Sequence, residues 1–238
     1  MDAVFIGGTV IVSNGVYQLG GRILSGIESN RVAVTKRVTV TSVNGPAVTV
    51  IQGNPVIGNN AVRGVYLARG AMLTGFTVTQ GAATLGGAQQ ENSGGGIYCE
   101  DSSATVSNCV ITLNAVPAGG GGVFQGTVNN CIITSNTATY FWLYGGGAGA
   151  NSAVLNNCLL FGNSDGWSGG GAANSSLNNC TVVNNSAGYY GGAFDGCSAT
   201  NCIVYYNPGD NGVNSTFTYC CTTPNPAVLA TSQTSRSS

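Results

Sequence analysis

The chain has 238 residues, 43% of them hydrophobic and only 6% charged, with 38 glycines, a composition that suits strands and tight turns rather than helices. Its net charge is −1, and six of its seven bases precede residue 70 while six of its eight acids follow residue 90, so no basic stripe is present to bind nucleic acid. Histidine is absent, which excludes Ser-His-Asp and Cys-His nucleophiles and His-ligated zinc, and no apolar run reaches the length of about 18 residues that a membrane span needs.

The opening Met1-Asp2-Ala3-Val4-Phe5-Ile6 places an acid where a secretion signal carries positive charge, so export would rely on a signal outside these residues. Residues 1–90 read as degenerate coils. Val38 to Asn44 and Ala47 to Ile51 alternate apolar and polar side chains as half-buried strands do, and Leu73 to Gly81 aligns with the later unit Val106 to Asn114. Over 91–207 the unit becomes regular. Asn-Cys pairs occur at 108–109, 130–131, 157–158, 179–180 and 201–202, and five residues beyond each cysteine stand Asn114, Asn136, Asn163, Asn185 and Asn207. Glycine runs follow at 94–96, 119–122, 145–147, 169–171 and 191–192. This period near 22 residues predicts a β-solenoid of eight to ten coils, one domain over 1–225 with a polar tail at 226–238.

In the unit Thr127 to Asn136, alternation along a strand turns Cys131 and Ile133 inward and Ile132 and Thr134 outward. The five aligned cysteines then stack about 4.8 Å apart, wider than the Cβ spacing of about 3.8 Å that a relaxed disulfide prefers. They read as buried free thiols, with Cys197–Cys202 or Cys220–Cys221 as the expected oxidised exceptions. The asparagine five residues on is expected to form a rung-to-rung amide ladder and to take the left-handed corner itself.

The (V/L)xNC-x-(I/V/L)-xx-N…GGG repeat between Thr9 and Tyr206 resembles the right-handed parallel β-helix of the pectin-lyase-like superfamily. It is similar to the Cys- and Asn-laddered β-helix proteins of bacterial surfaces. The resemblance implies an all-β parallel β-helix, extracellular or at a cell surface. It leaves the activity open among glycoside hydrolases, polysaccharide lyases and non-catalytic adhesin modules.

The choice therefore falls to the residues. The glycine runs lack the lysine of a phosphate loop, the cysteines lack Cys-x-x-Cys spacing, and no cofactor or metal is expected. A glycosidase needs two carboxylates about 5 to 9.5 Å apart. Asp165 before one glycine run and Asp195 after the next are the candidate acid and base or nucleophile, with Asp195 expected to stack on Asn174, Ala150, Gln125 and Cys99. Elimination fits less well, because the bases and acids occupy opposite ends of the sequence. Aromatic residues gather between the ladder asparagine and the glycine run in three successive coils. Trp142, Tyr144, Trp167, Tyr189 and Tyr190 are the candidate platform for polysaccharide or glycan. Val110, Ile132, Leu159, Thr181 and Ile203 form an outward, mostly apolar stripe, an expected sheet-face interface through which the chain could build a homo-oligomer. Two readings follow: a glycoside hydrolase, or a non-catalytic surface or adhesin module.

Overall fold

The structure, a computed structural model, describes residues 3–139 and 146–222. The short strands of each coil pair in register with those of the next. In the first sheet Val106, Val128, Leu155 and Leu177 lie side by side, and in the second Ile111, Ile133, Leu160, Val182 and Val204 do the same. All nine of these residues are 0% exposed. The result is a parallel β-helix of three nine-stranded sheets. The first runs from Thr9–Val12 to Thr216–Thr218 and the second from Gly15–Tyr17 to Cys221–Thr222. The third runs from Arg22–Ile23 to Gly212–Val213, with its first strand antiparallel to Ser29–Val34 and the others parallel. A short fourth sheet joins Ala115–Val116, Thr137–Ala138, Ser164–Asp165 and Ser186–Ala187. One continuous apolar column fills the centre, from Val34 to Cys220.

The corners are turned by left-handed residues, and here the structure corrects the expected role of the ladder asparagines. Between the first and second sheets, φ lies near +50° at Asn108, Asn130, Asn157, Asn179 and Asn201, so the Asn of each Asn-Cys pair makes that turn. At the next corner the left-handed residue is Leu113, Ser135, Gly162, Asn184 or Tyr206, one position before the ladder asparagine. With the turn made by its neighbour, the ladder residue is free to aim its amide into the core. Asn163 Oδ1 accepts from the backbone N–H of Asn136 at 3.0 Å and from its Nδ2 at 3.0 Å, while Asn163 Nδ2 donates to Ile133 O and Asn185 Oδ1, both at 2.9 Å. The same pattern links Asn114 to Asn136 and Asn185 to Asn207. Left-handed residues also turn the corner from the third sheet to the first, at Gln125, Ser152, Asn174, Gly196 and Asn214.

The cysteine column forms as expected and gains Cys220 as a further member, with each Sγ in contact with backbone carbonyls or amides of its own and adjacent coils. The two expected disulfides are not formed, because all nine cysteines are free. Cys197 stands in a different column, above Ser215, and Cys220 faces the core while its neighbour Cys221 is exposed on the opposite side of the chain. The glycine runs serve the return to the third sheet, where coils touch through backbone. Gly169 has φ +65°, and a Cβ on Gly170 would lie 2.1 Å from Ser186 O.

Near the N-terminal end, Arg63 is 1% exposed and ties loops together rather than facing solvent. It donates to Gly94 O, Asn30 Oδ1, Ser93 O and Gln90 O, with its guanidinium carbon 4.9 Å from the centre of the Tyr98 ring. Among the described residues no helix is long and apolar enough to cross a membrane.

Candidate functional site

Asp165 ends a strand of the fourth sheet, in register with Ala138 on one side and Ala187 on the other. Val116 and Ala138 in this column contribute side chains to a small buried cluster with Ala83 and Ala148, whereas Asp165 brings a carboxyl group that is only 5% exposed. Its Oδ1 accepts from the backbone N–H groups of Trp167 at 2.7 Å and Ser168 at 3.1 Å, fixing the turn between them. Its Oδ2 is buried without a hydrogen-bond partner. Burial raises the carboxyl from its ordinary value of 3.8 to about 7, against the pull of the two N–H bonds, and the charge of Asp195 adds to the rise.

Asp195 lies one coil further along. The preceding Phe194 is 0% exposed and fills the core, so alternation turns Asp195 outward, where it is half-buried. It stacks on Ala173 and, through successive pairings, on Asn151, Phe124 and Tyr98. The expected column of Asn174, Ala150, Gln125 and Cys99 is thus corrected. Asn174 and Gln125 are the left-handed corner residues just after the strand, Ala150 faces the core, and the lengths of the glycine runs do not mark register.

Ser168 connects the two acids. Its N–H donates to Asp165 Oδ1, and its Oγ donates to Asp195 Oδ2 at 2.5 Å. Asn214 Nδ2 reaches the other Asp195 oxygen at 3.5 Å. The two candidate acids, 30 residues apart in the sequence, therefore stand on either side of one serine. Neither Ser168 nor Asn214 was expected from the sequence. The available signal was the replacement of a small apolar residue by Asp165, two positions before a Trp-Ser pair that needs its N–H groups capped.

The aromatic residues gather beside this group. Tyr189 and Tyr190 donate their backbone N–H groups to Trp167 O at 3.0 and 3.2 Å, and the Trp167 ring lies 4.7 Å from that of Tyr189 and 5.9 Å from that of Tyr190. Tyr189 is 67% exposed and Tyr190 54%, while Trp167 is half-buried. Trp142 and Tyr144 lie outside the described residues. A second aromatic row, Tyr66, Tyr98 and Phe124, stacks on the third sheet with ring centres 5.9 and 5.3 Å apart, but Phe124 is 2% and Tyr66 6% exposed, so that row is packing. Among the described residues no three His, Cys, Asp or Glu side chains cluster to hold a metal ion.

No family model matches the sequence, and no curated protein matches it. Among solved structures the chain is similar to the crystal structure of the Dettilon tailspike protein, with a TM-score of 0.42 and 18% identity, over 84% of this chain and 42% of that one. The chain thus spans less than half the length of that tailspike protein.

Proposed function

We propose that this β-helix is an extracellular carbohydrate-active protein and that Asp165, Ser168 and Asp195, with Trp167, Tyr189 and Tyr190, form a glycoside hydrolase site. The observation that carries the reading is a buried carboxyl raised to about 7, joined through one serine to a second, half-exposed carboxylate. A glycosidase needs one carboxyl that still holds a proton near neutral pH to protonate the leaving oxygen, and a second to act as base or nucleophile. Asp165 suits the first role and Asp195 the second. The exposed tyrosine rings beside Trp167 offer flat apolar faces with polar edges, the surface on which a sugar ring stacks.

One observation favours a second reading. Asp165 Oδ1 already caps two N–H groups of the Trp167 turn, and the residue is only 5% exposed, so the acid could serve only to shape an aromatic binding surface on a non-catalytic module. Reducing-sugar release over a panel of polysaccharides, measured for the wild type and for Asp165→Asn and Asp195→Asn, separates the two. The hydrolase reading expects binding to survive in both variants and turnover to vanish, because an amide keeps the shape but does not transfer the proton. Full turnover in both variants rules out these acids, and binding without cleavage by the wild type favours the surface module. Trp167→Ala is expected to weaken glycan binding by roughly 1 to 3 kcal/mol in either case.

A further inference from the structure

The charge around this site restricts what it can take. Enzymes and lectins that hold acidic sugars present cations, or the N–H groups of a helix start, to each carboxylate or sulfate. Here the side chains that meet are Asp165, Ser168, Asp195, Asn214, Trp167, Tyr189 and Tyr190, two of them acids and none of them basic. Asp165 is itself only 5% exposed, so Asp195, half-buried, is the acid a ligand meets. Among the described residues the bases are far away. Arg63 lies on the strand Val62–Leu67, five strands along the third sheet from Phe194–Asp195, roughly 24 Å at about 4.8 Å per coil. That is about three Debye lengths at physiological salt. Arg69, just after the same strand, is paired with Asp101, and the other described bases lie in still earlier coils.

Resting on the carbohydrate reading above, we infer that the site selects uncharged glycans and rejects polyanionic ones such as polyuronates. The aromatic rings provide the attraction, since they need no charge on the sugar. Asp195, the half-exposed acid of the two, provides the discrimination, by repelling a carboxylate repeated along the ligand.

The test is affinity electrophoresis of the whole chain through gels containing a soluble β-glucan, a galactomannan, polygalacturonate or the fully methyl-esterified form of the same polygalacturonate. The inference expects retardation by at least one uncharged polymer, with polygalacturonate roughly tenfold weaker or worse than the best uncharged probe in the same buffer. Added salt should narrow that gap by screening the repulsion. Polygalacturonate binding as tightly as the best uncharged probe, or more tightly, overturns the inference and leaves the carbohydrate reading standing. Retardation by none of the four overturns both. The esterified and free polymers share a backbone, so the part of their difference that added salt removes reports charge.

Discussion

A carboxyl group in a column of alanine and valine carries a consequence for stability. Asp165 holds its proton more tightly in the folded protein, where its value is about 7, than in an unfolded chain near 3.8. A raised acid favours folding most below its unfolded value, and that contribution fades as pH climbs through the folded one. We therefore expect stability to fall between about pH 4 and pH 7, by a few kcal/mol at about 1.4 per pH unit. Denaturant midpoints across this range should slope downward for the wild type and lose much of that slope in Asp165→Asn. An unchanged slope would place the titration elsewhere, Glu28 being the other buried carboxyl raised by burial. The cysteines make a quieter prediction. Cys158 is 3% exposed and unpaired, so Cys158→Ala should cost on the order of 1 to 2 kcal/mol through a small cavity. Reductant alone should leave the melting curve where it was.

Along single strands and turns, much of the structure was legible beforehand. The inward positions of Cys131 and Ile133, the alignment of Leu73 with Val106 and the stacking of the ladder asparagines all follow from period two within strands and period 22 between them. What stayed hidden was which of two neighbours turns each corner. A left-handed residue and an inward amide are both ordinary roles for asparagine, and only the backbone separates Asn108 from Asn114. The distinction is testable. Asn163→Leu should cost more than about 3 kcal/mol, because it strands the buried N–H groups of Asn136 that Oδ1 now accepts. At the corner position before Asn114, Leu113 sits at φ +58° and is 55% exposed. There Leu113→Asn should stabilise by about 0.5 to 1 kcal/mol, since asparagine tolerates this conformation better than leucine does. Both effects can be read from guanidinium unfolding midpoints, and a destabilised Leu113→Asn would contradict the corner assignment. The acid pair was half legible for a related reason: two acids near one corner can be counted in a sequence, whereas the serine that joins them follows from which coils are adjacent.

At the scale of the whole chain, the strands of each coil pair only with those of adjacent coils, although the loop 84–91 also reaches back to Ile27 and Glu28, so opening should begin at an end and travel inward. The N-terminal coil is the weaker start: Ile11 is 70%, Val16 56% and Ile23 59% exposed, against 0% for Val128, Ile133 and Leu155 in the middle. Hydrogen exchange followed by mass spectrometry should show peptides covering 9–23 exchanging first and those covering 123–161 last, whereas uniform exchange would mean the stack opens as one unit. The uneven coil between Asn136 and Asn163 bears on how such a protein can change. It is 27 residues long where its neighbours are 22, yet its ladder contact is 3.0 Å against 2.9 Å on both sides. Five extra residues in one coil therefore leave the ladder in register. Coils of different length can be exchanged within such a stack while the core continues to count in whole turns.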